Sequence, residues 1–254
     1  DVNSTVAAAL VCAKLLIAAG HVEAGLRSFD RRMPEEVNRV VTDRIADLLF
    51  TPSADADENL RREGIEQKKI HRVGNVMIDS LVRLLTKADG RSILKDLSLT
   101  QARYALVTLH RPSNVDNPAM LHKILKTLSE IAEALPVIFP VHPRTRRHVA
   151  QLQSADFSSG LTLIEPIGYL EFLSLGVPCL TVRENTERPV TVEVGTNTLV
   201  GTDMGRLKEE VHTILSGRGK RGSVPPLWDG KTGERIAGII YDLPFSLDAI
   251  SALR

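Results

Sequence analysis

Two patterns of apolar and polar residues alternate along this chain. Apolar residues recur at helical spacing in stretches such as 4–19, 35–46 and 119–135, which predicts amphipathic helices. Between them lie short continuous apolar runs such as YALVTL (104–109) and PVIFPV (136–141), which are typical of strands buried on both faces. Because strands and helices alternate, the sequence predicts an α/β fold with parallel sheets.

Glycine and proline residues mark several boundaries of these elements. Gly20 follows the first helical pattern directly, which predicts a helix over 4–19. The stretch HRPSNVDNP (110–118) combines two prolines with Asp and Asn residues, which predicts a loop. The Gly-, Pro- and Lys-rich stretch 217–226 predicts a linker ahead of a last helix.

Composition narrows the class of protein. The 254 residues are 43% hydrophobic and 25% charged, enough for one large domain or two modest ones. A net charge of +1 does not favour nucleic acid or a membrane surface as partner, and no apolar run approaches the ~20 residues that span a bilayer. Cys12 and Cys179 lie in apolar runs, which predicts two buried thiols in a reducing cytoplasm.

Charged residues gather where the predicted strands end. In folds of this kind, ligands bind at the carboxyl ends of strands. Glu23 lies on the strand HVEA, His110 and Arg111 end YALVTLHR, His142 ends VIFPVH, and Arg188 follows VPCLTV. The sequence therefore predicts a polar site built from acids, histidines and arginines.

Each of the acids has a structural as well as a functional interpretation. A carboxylate in a buried strand is costly unless it is paired, so Glu23 is either a reactive group or the partner of Arg27 or Arg39. Glu35 and Glu36 begin a helix, where acids interact favourably with the helix dipole.

The cations have similar alternatives. A His–Arg pair such as His110–Arg111 at a strand end is a candidate phosphate site, and His142 lies at a helix start, where backbone N–H groups favour anions. Arg188 precedes a proline at a predicted helix start, where its guanidinium could bind a phosphate or pair with a nearby acid. Walker A, HExxH and GxSxG motifs are absent and no GxGxxG follows a predicted strand, which disfavours P-loop NTPases, simple dehydrogenases, zincins and serine hydrolases.

Ten stretches, taken in order, resemble the non-hydrolysing UDP-N-acetylglucosamine 2-epimerase family. They are DVNST, HVEAGLRSFDRRMPEEVNR, DLLFTPS, VGNVMID, VTLHRPSNVDNP, VHPRTR, GYLEF, GVPCLTVRENTERP, VGTNTLVGT and WDGKTGERI. The combination of HVEAGLRS, PEEVNR, HRPSN and TERP is the most specific part.

The resemblance implies two Rossmann-like domains of the glycosyltransferase-B type, with parallel sheets that face each other across a cleft. The expected domains are residues 1–75, with 228–254 packed back on them, and residues 76–227. The family's first strand–helix units have no counterpart before Asp1, so we expect an N-terminal part to be missing from the sequence. A DSGGxxEE segment that the family carries between Leu175 and Gly176 has no counterpart either.

The resemblance also implies an activity and its residues. UDP-N-acetylglucosamine and UDP-N-acetylmannosamine would interconvert by elimination and return of UDP, without a cofactor or metal, in a cytoplasmic homodimer. The implied residues are Asp1, Glu23, Glu35 and His110 for catalysis, and Arg111, His142, Phe172 and Arg188 for binding. Two alternatives remain open: a glycosyltransferase-B-type UDP-sugar transferase, and a non-catalytic or degenerate UDP-sugar-binding fragment.

Overall fold

The computed structural model describes residues 3–88, 92–100, 103–109, 112–149, 157–166 and 179–243. Eight strands lie in this part of the chain: β1 (Gly20–Val22), β2 (Leu48–Thr51), β3 (Ile70–Arg72), β4 (Ala105–Leu106), β5 (Val137–Pro140), β6 (Leu161–Ile164), β7 (Leu180–Thr181) and β8 (Thr198–Leu199). The α-helices described there are α1 (Asn3–Lys14), α2 (Pro34–Ile45), α3 (Ala54–Arg62), α4 (Val76–Ala88), α5 (Ile93–Asp96), α6 (Pro112–Val115), α7 (Pro118–Ile131), α8 (Pro143–Val149), α9 (Pro189–Glu193), α10 (Met204–Leu215) and α11 (Thr232–Tyr241). A 3₁₀ turn covers Gln67–Lys69.

The chain divides into two compact units. The first contains Asp1–Arg83, Asn185–Thr196 and Arg221–Arg254, and the second contains Leu84–Glu184 and Asn197–Lys220. The expected boundaries place residues 185–196 in the second domain, whereas in the structure this segment is part of the first compact unit. This segment carries Arg188, so its assignment affects the site.

The first unit is built on a parallel sheet of order β1-β2-β3. All four residues of the central strand β2 are buried, as expected for a strand covered on both faces. On one side Leu49 packs with Leu60 of α3, and on the other Phe50 packs with Ile236 of α11. The carboxyl end of β1 is the edge from which Glu23 projects.

The second unit contains a parallel sheet of order β4-β5-β6 and a parallel pair, β7-β8. Its core forms around β5, where Val137 and Phe139 are fully buried against Leu121 and Leu125 of α7. The amphipathic pattern of α7 therefore buries the face that the sequence predicted. Parallel pairing in both units confirms the α/β class.

Three local predictions were wrong. The first helix ends at Lys14 rather than at residue 19, because Leu16 adopts a left-handed conformation (φ 58°) and the Ile17 N–H donates to the Cys12 carbonyl, which closes a Schellman turn. The stretch 110–118 contains the short helix α6. Cys179 is exposed and Cys12 is only half-buried, so neither is a buried thiol.

The last helix is attached to the first unit by specific bonds. The carboxylate of Asp79, on α4, accepts hydrogen bonds from the backbone N–H groups of Thr232 (3.1 Å) and Gly233 (2.7 Å). The indole N–H of Trp228 donates to the Pro52 carbonyl (3.0 Å). A helix start that would otherwise have unpaired donors is therefore satisfied by a side chain from another helix.

The described helices are all too short or too polar to cross a lipid bilayer.

Candidate active site in the first unit

Glu23 lies directly after β1 in a strained backbone conformation. Its φ angle is 67°, in the left-handed region that residues other than glycine rarely occupy. Gly25 follows at φ 78°, and a Cβ atom there would lie 2.4 Å from the Ala56 carbonyl oxygen. Only glycine fits this position, so the strand must turn sharply immediately after Glu23.

A buried carboxylate, Asp43 on α2, holds this turn from beneath. It accepts hydrogen bonds from the Gly25 N–H (3.0 Å) and from Arg27 Nη1 (2.7 Å), and it contacts Nδ1 of His21 at 2.6 Å. Asp43 is 1% exposed, and a buried charge with a full set of partners restricts the backbone that supplies them. The residues on both sides of Glu23 are thereby fixed to α2.

Arg27 links the same turn to α3. Its guanidinium makes a two-pronged contact with the Glu63 carboxylate, with both N–O distances at 2.7 Å. Burial lowers the pKa of Arg27, but the hydrogen bond to Glu63 and the charge of Asp43 outweigh burial and raise that pKa above its ordinary value. Arg27 is therefore a permanently charged support rather than a proton donor.

Glu36 supports the segment that follows. Its buried carboxylate accepts hydrogen bonds from the Ser28 N–H (3.0 Å), the Ser28 hydroxyl (3.0 Å) and the Phe29 N–H (2.8 Å). Phe29 is held with a left-handed backbone (φ 58°) and a side chain that is 73% exposed. The second glutamate of the PEE motif thus binds a neighbouring loop instead of only stabilising its own helix start.

Glu35 lies beside this support at the second position of α2 and is half-buried. Arg39, one turn later, donates to the Glu35 carbonyl (3.3 Å) and forms ion pairs with Glu36 (3.2 Å) and Glu187 (3.7 Å). Burial lowers the pKa of Arg39, and the charges of Glu36 and Glu187 oppose that effect. Arg39 therefore joins α2 to the segment that carries Arg188.

Arg188 is the ion-pair partner of Glu23. Its Nη2 lies 2.6 Å from Oε1 of Glu23, and both side chains are about one-third exposed (30% and 32%). The structural alternative for Glu23 was an ion pair with Arg27 or Arg39, and that choice of partner was wrong. Arg27 and Arg39 are held by other acids, so the cation comes from 165 residues away.

One of the remaining predicted residues, His142, lies in the described structure. His142 is exposed in the second unit, directly after β5 and Val141. Asp1, His110, Arg111 and Phe172 lie outside the described residues.

Sequence reasoning missed much of the supporting network. Asp43 and Glu63 were overlooked because each resembles an ordinary polar position on an amphipathic helix. A usable signal was present, since Glu36, Arg39 and Asp43 recur at spacings of three and four on the buried face of α2. Three successive charged or polar residues on a buried face require partners.

The second unit contains a smaller polar cluster. The Glu184 carboxylate accepts hydrogen bonds from the N–H and hydroxyl of Thr202, both at 3.0 Å, beside an open depression that Arg183 and Arg206 also line. On α8, the exposed Arg146 pairs with Glu165, in accord with a solvated helix face. In the described part of the chain, no three His, Cys, Asp or Glu side chains are grouped as metal ligands would be.

Known proteins resemble this chain over nearly its whole length. The family described as "UDP-N-acetylglucosamine 2-epimerase" matches residues 1–176 and 171–241. The UDP-N-acetylglucosamine 2-epimerase of Methanocaldococcus jannaschii is 42% identical over 94% of this chain and 73% of its own length. The UDP-2,3-diacetamido-2,3-dideoxy-D-glucuronate 2-epimerase of Pseudomonas aeruginosa is 39% identical over 85% of this chain and 66% of its own length.

A solved structure extends the likeness to the fold. The crystal structure of the M. jannaschii UDP-GlcNAc 2-epimerase in complex with UDP-GlcNAc and UDP superimposes with a TM-score of 0.82, covering 95% of this chain and 74% of that one. The predicted glycosyltransferase-B-like class with two Rossmann-like domains is thereby confirmed. The chain spans about three quarters of the length of the M. jannaschii enzyme and about two thirds of the length of the P. aeruginosa enzyme. It belongs to the UDP-N-acetylglucosamine 2-epimerase family.

Proposed function

We propose that this protein interconverts UDP-N-acetylglucosamine and UDP-N-acetylmannosamine by inverting C2 of the sugar. The observation that carries the proposal is Glu23, a partly exposed carboxylate with a left-handed backbone at the end of a parallel strand, paired with a guanidinium. Strained residues of this kind persist where the surroundings enforce them, and they cluster at active sites. Membership of the epimerase family supplies the reaction class.

The proposed reaction is an elimination followed by an addition. A base removes the C2 proton, the C–H electron pair forms a C1=C2 double bond, and the C1–O bond breaks to release UDP as an anion. A proton then reaches C2 from the opposite face, and the UDP oxygen returns to C1. Acid/base groups are needed at the sugar, and cations or polar donors are needed at UDP.

Glu23 and Glu35 are the proposed proton-transfer groups of the first unit. Both belong to segments that Asp43 and Glu36 fix, and a proton-transfer group requires this kind of positional constraint. Asp1 and His110 complete the proposed catalytic set. Arg111, His142 and Phe172 are proposed to bind UDP. For Arg188 the resemblance implies a nucleotide contact, whereas in the structure this residue lies against Glu23.

A second UDP-sugar is also a candidate substrate. The P. aeruginosa relative is named for a UDP-2,3-diacetamido-2,3-dideoxy-D-glucuronate. Both sugars carry an acetamido group at C2 and would be inverted at the same carbon. Parallel assays with the two UDP-sugars decide between them, and we expect faster turnover of UDP-N-acetylglucosamine.

Deuterated water separates the epimerase from the other functions. An epimerase incubated with UDP-N-acetylglucosamine and no acceptor should release the mannosamine isomer with deuterium at C2, because the abstracted proton exchanges with solvent. A transferase would need an acceptor, and a binding protein would bind UDP without turnover. An isomer that contains no deuterium at C2 would rule out the elimination route.

Substitution tests the two glutamates. Glu23→Gln and Glu35→Gln should each lower kcat by ~10²–10⁴-fold, the usual contribution of a general acid or base. Because both lie at the sugar in this scheme, UDP affinity measured by calorimetry should change by less than about threefold. Near-normal turnover in both variants would contradict the assignment.

The homodimeric state and the cytoplasmic location implied by the resemblance form part of the same proposal. Light scattering after gel filtration and subcellular fractionation test them.

A further inference from the structure

The segment Asn185–Arg188 makes three separate contacts with the loop and helix that carry the candidate acids. Asn185 donates to the Ser28 carbonyl (3.3 Å), Glu187 pairs with Arg39 (3.7 Å), and Arg188 pairs with Glu23 (2.6 Å). The three contacts follow one another in a segment that belongs to the same compact unit as its partners.

Local backbone structure orients Arg188 towards Glu23. The Arg188 N–H donates to the Thr186 hydroxyl (3.1 Å), and Pro189 begins α9 at the next residue. A proline at the first helical position restricts the backbone because its φ angle is preset. Arg188 is therefore held at a helix start, and its guanidinium is aimed at a residue that is itself restricted.

Two features distinguish this pair from an ordinary surface ion pair. The Glu23 backbone is left-handed and lies in a turn that Asp43 holds through the Gly25 N–H, so the point from which the side chain extends is fixed. In addition, Nη1 of Arg188 is buried and has no hydrogen-bond partner among the described residues, while Nη2 binds Glu23. Surface pairs between mobile side chains lack both restrictions.

We propose that Arg188 is a positioning residue for Glu23. This inference rests on the proposed function, and it assigns Arg188 to the sugar chemistry rather than to nucleotide affinity. The guanidinium orients the carboxylate through Nη2 and prevents it from turning towards bulk water. An arginine suits this task because its planar group presents donors in a rigid arrangement.

A double-mutant cycle of Glu23→Gln and Arg188→Gln tests the proposal. Alone, Arg188→Gln should lower kcat by about 10²-fold, within the range expected when an acid/base group no longer functions. In the Glu23→Gln background it should have less than about a twofold further effect, because residues that act as a unit are not additive. KM and the Kd for UDP should change by less than about threefold in every variant.

Two other variants sharpen the test. Arg188→Lys should recover part of kcat, because it keeps the charge and loses the rigid fork. Arg221→Gln removes an exposed cation from the same unit and should leave kcat unchanged. Additive effects of the Glu23 and Arg188 substitutions would overturn the proposal, as would a tenfold or greater loss of UDP affinity with kcat preserved.

Failure of the proposed function gives a different result. An unsubstituted protein without epimerase activity would refute the function and leave the pair to be judged by stability alone. In that case the same cycle is measured by thermal unfolding, where a real pair gives non-additive shifts in Tm. Strictly additive shifts would show that the Glu23–Arg188 contact has no energetic importance.

Discussion

Single residues of the site are held in conformations that their own chemistry disfavours. Glu23 and Phe29 both have left-handed backbones within one loop, and a buried carboxylate stabilises each side of that loop. Left-handed conformations cost residues other than glycine roughly 1–2 kcal/mol. The hydrogen bonds to Asp43 and Glu36 offset that cost, so the strain of the loop and its network are parts of one arrangement.

A substitution at Phe29 can measure the backbone strain of this loop, because the exposed ring contributes little packing. Phe29→Gly should raise the free energy of unfolding by up to about 1 kcal/mol, because glycine accepts a positive φ and the ring is already 73% exposed. Urea denaturation measures this change. Phe29→Ala is the matched control, since it removes the ring but keeps the strained Cβ, and it should not stabilise the protein. Equal effects of the two substitutions would contradict the strain argument.

Whole elements are joined in this fold through their ends. Gly74 lies between β3 and α4 with φ 97°, and a Cβ atom there would lie 2.1 Å from the Leu227 carbonyl oxygen. The chain before α11 therefore passes directly against this turn. Asp79 then accepts the first N–H groups of α11. Two elements about 150 residues apart in the sequence are thus connected by backbone contact and by helix capping.

Asp79→Ala should destabilise the protein by about 1–2 kcal/mol, the usual effect of losing a helix cap. Glu234→Gln is the control, because it removes an exposed acid from the first turn of the same helix. Thermal unfolding and chemical denaturation both measure the difference. Equal stability of the Asp79→Ala and Glu234→Gln variants would show that α11 does not depend on this cap.

The cap also predicts a dependence on pH. Partial burial raises the pKa of Asp79, but the N–H groups of Gly233 and Thr232 outweigh burial and lower that pKa below its ordinary value. The contribution of the Asp79 carboxylate to the free energy of unfolding is therefore complete above pH ~4, the pKa of Asp in an unfolded chain. It is lost as pH falls through the lower pKa of Asp79 in the folded protein. In that acid range the Asp79→Asn variant should lose less stability than the unsubstituted protein.

At the scale of the whole molecule, UDP should bind the folded state of the chain and not the unfolded state. A ligand at 100 times its Kd stabilises a protein by about 2.7 kcal/mol. We therefore expect UDP to raise Tm in a concentration-dependent way. ADP serves as the control, because it presents the same diphosphate with a different base. An equal shift with both nucleotides, or no shift with UDP, would contradict a uridine-nucleotide site.

The sequence by itself determined the order of strands and helices, the α/β class and the family. Hydrophobic periodicity is a local property, so α2, α7 and β5 could be located from a few consecutive residues. The motif HVEAGLRS with PEEVNR likewise identified Glu23 and Glu35 as candidates. These features depend on neighbours along the chain, which the sequence displays directly.

Only the tertiary structure decided which charges meet. Seven charged residues crowd into 27–39, and any of several pairings satisfies their spacing. The fold assigns Arg27 to Asp43 and Glu63, and it brings Arg188 to Glu23 from 165 residues away. Electrostatic attraction depends on distance in space and on burial, neither of which a linear pattern specifies. The early end of α1 at Lys14 likewise depended on the left-handed backbone of Leu16, which the helical pattern of the residues did not reveal.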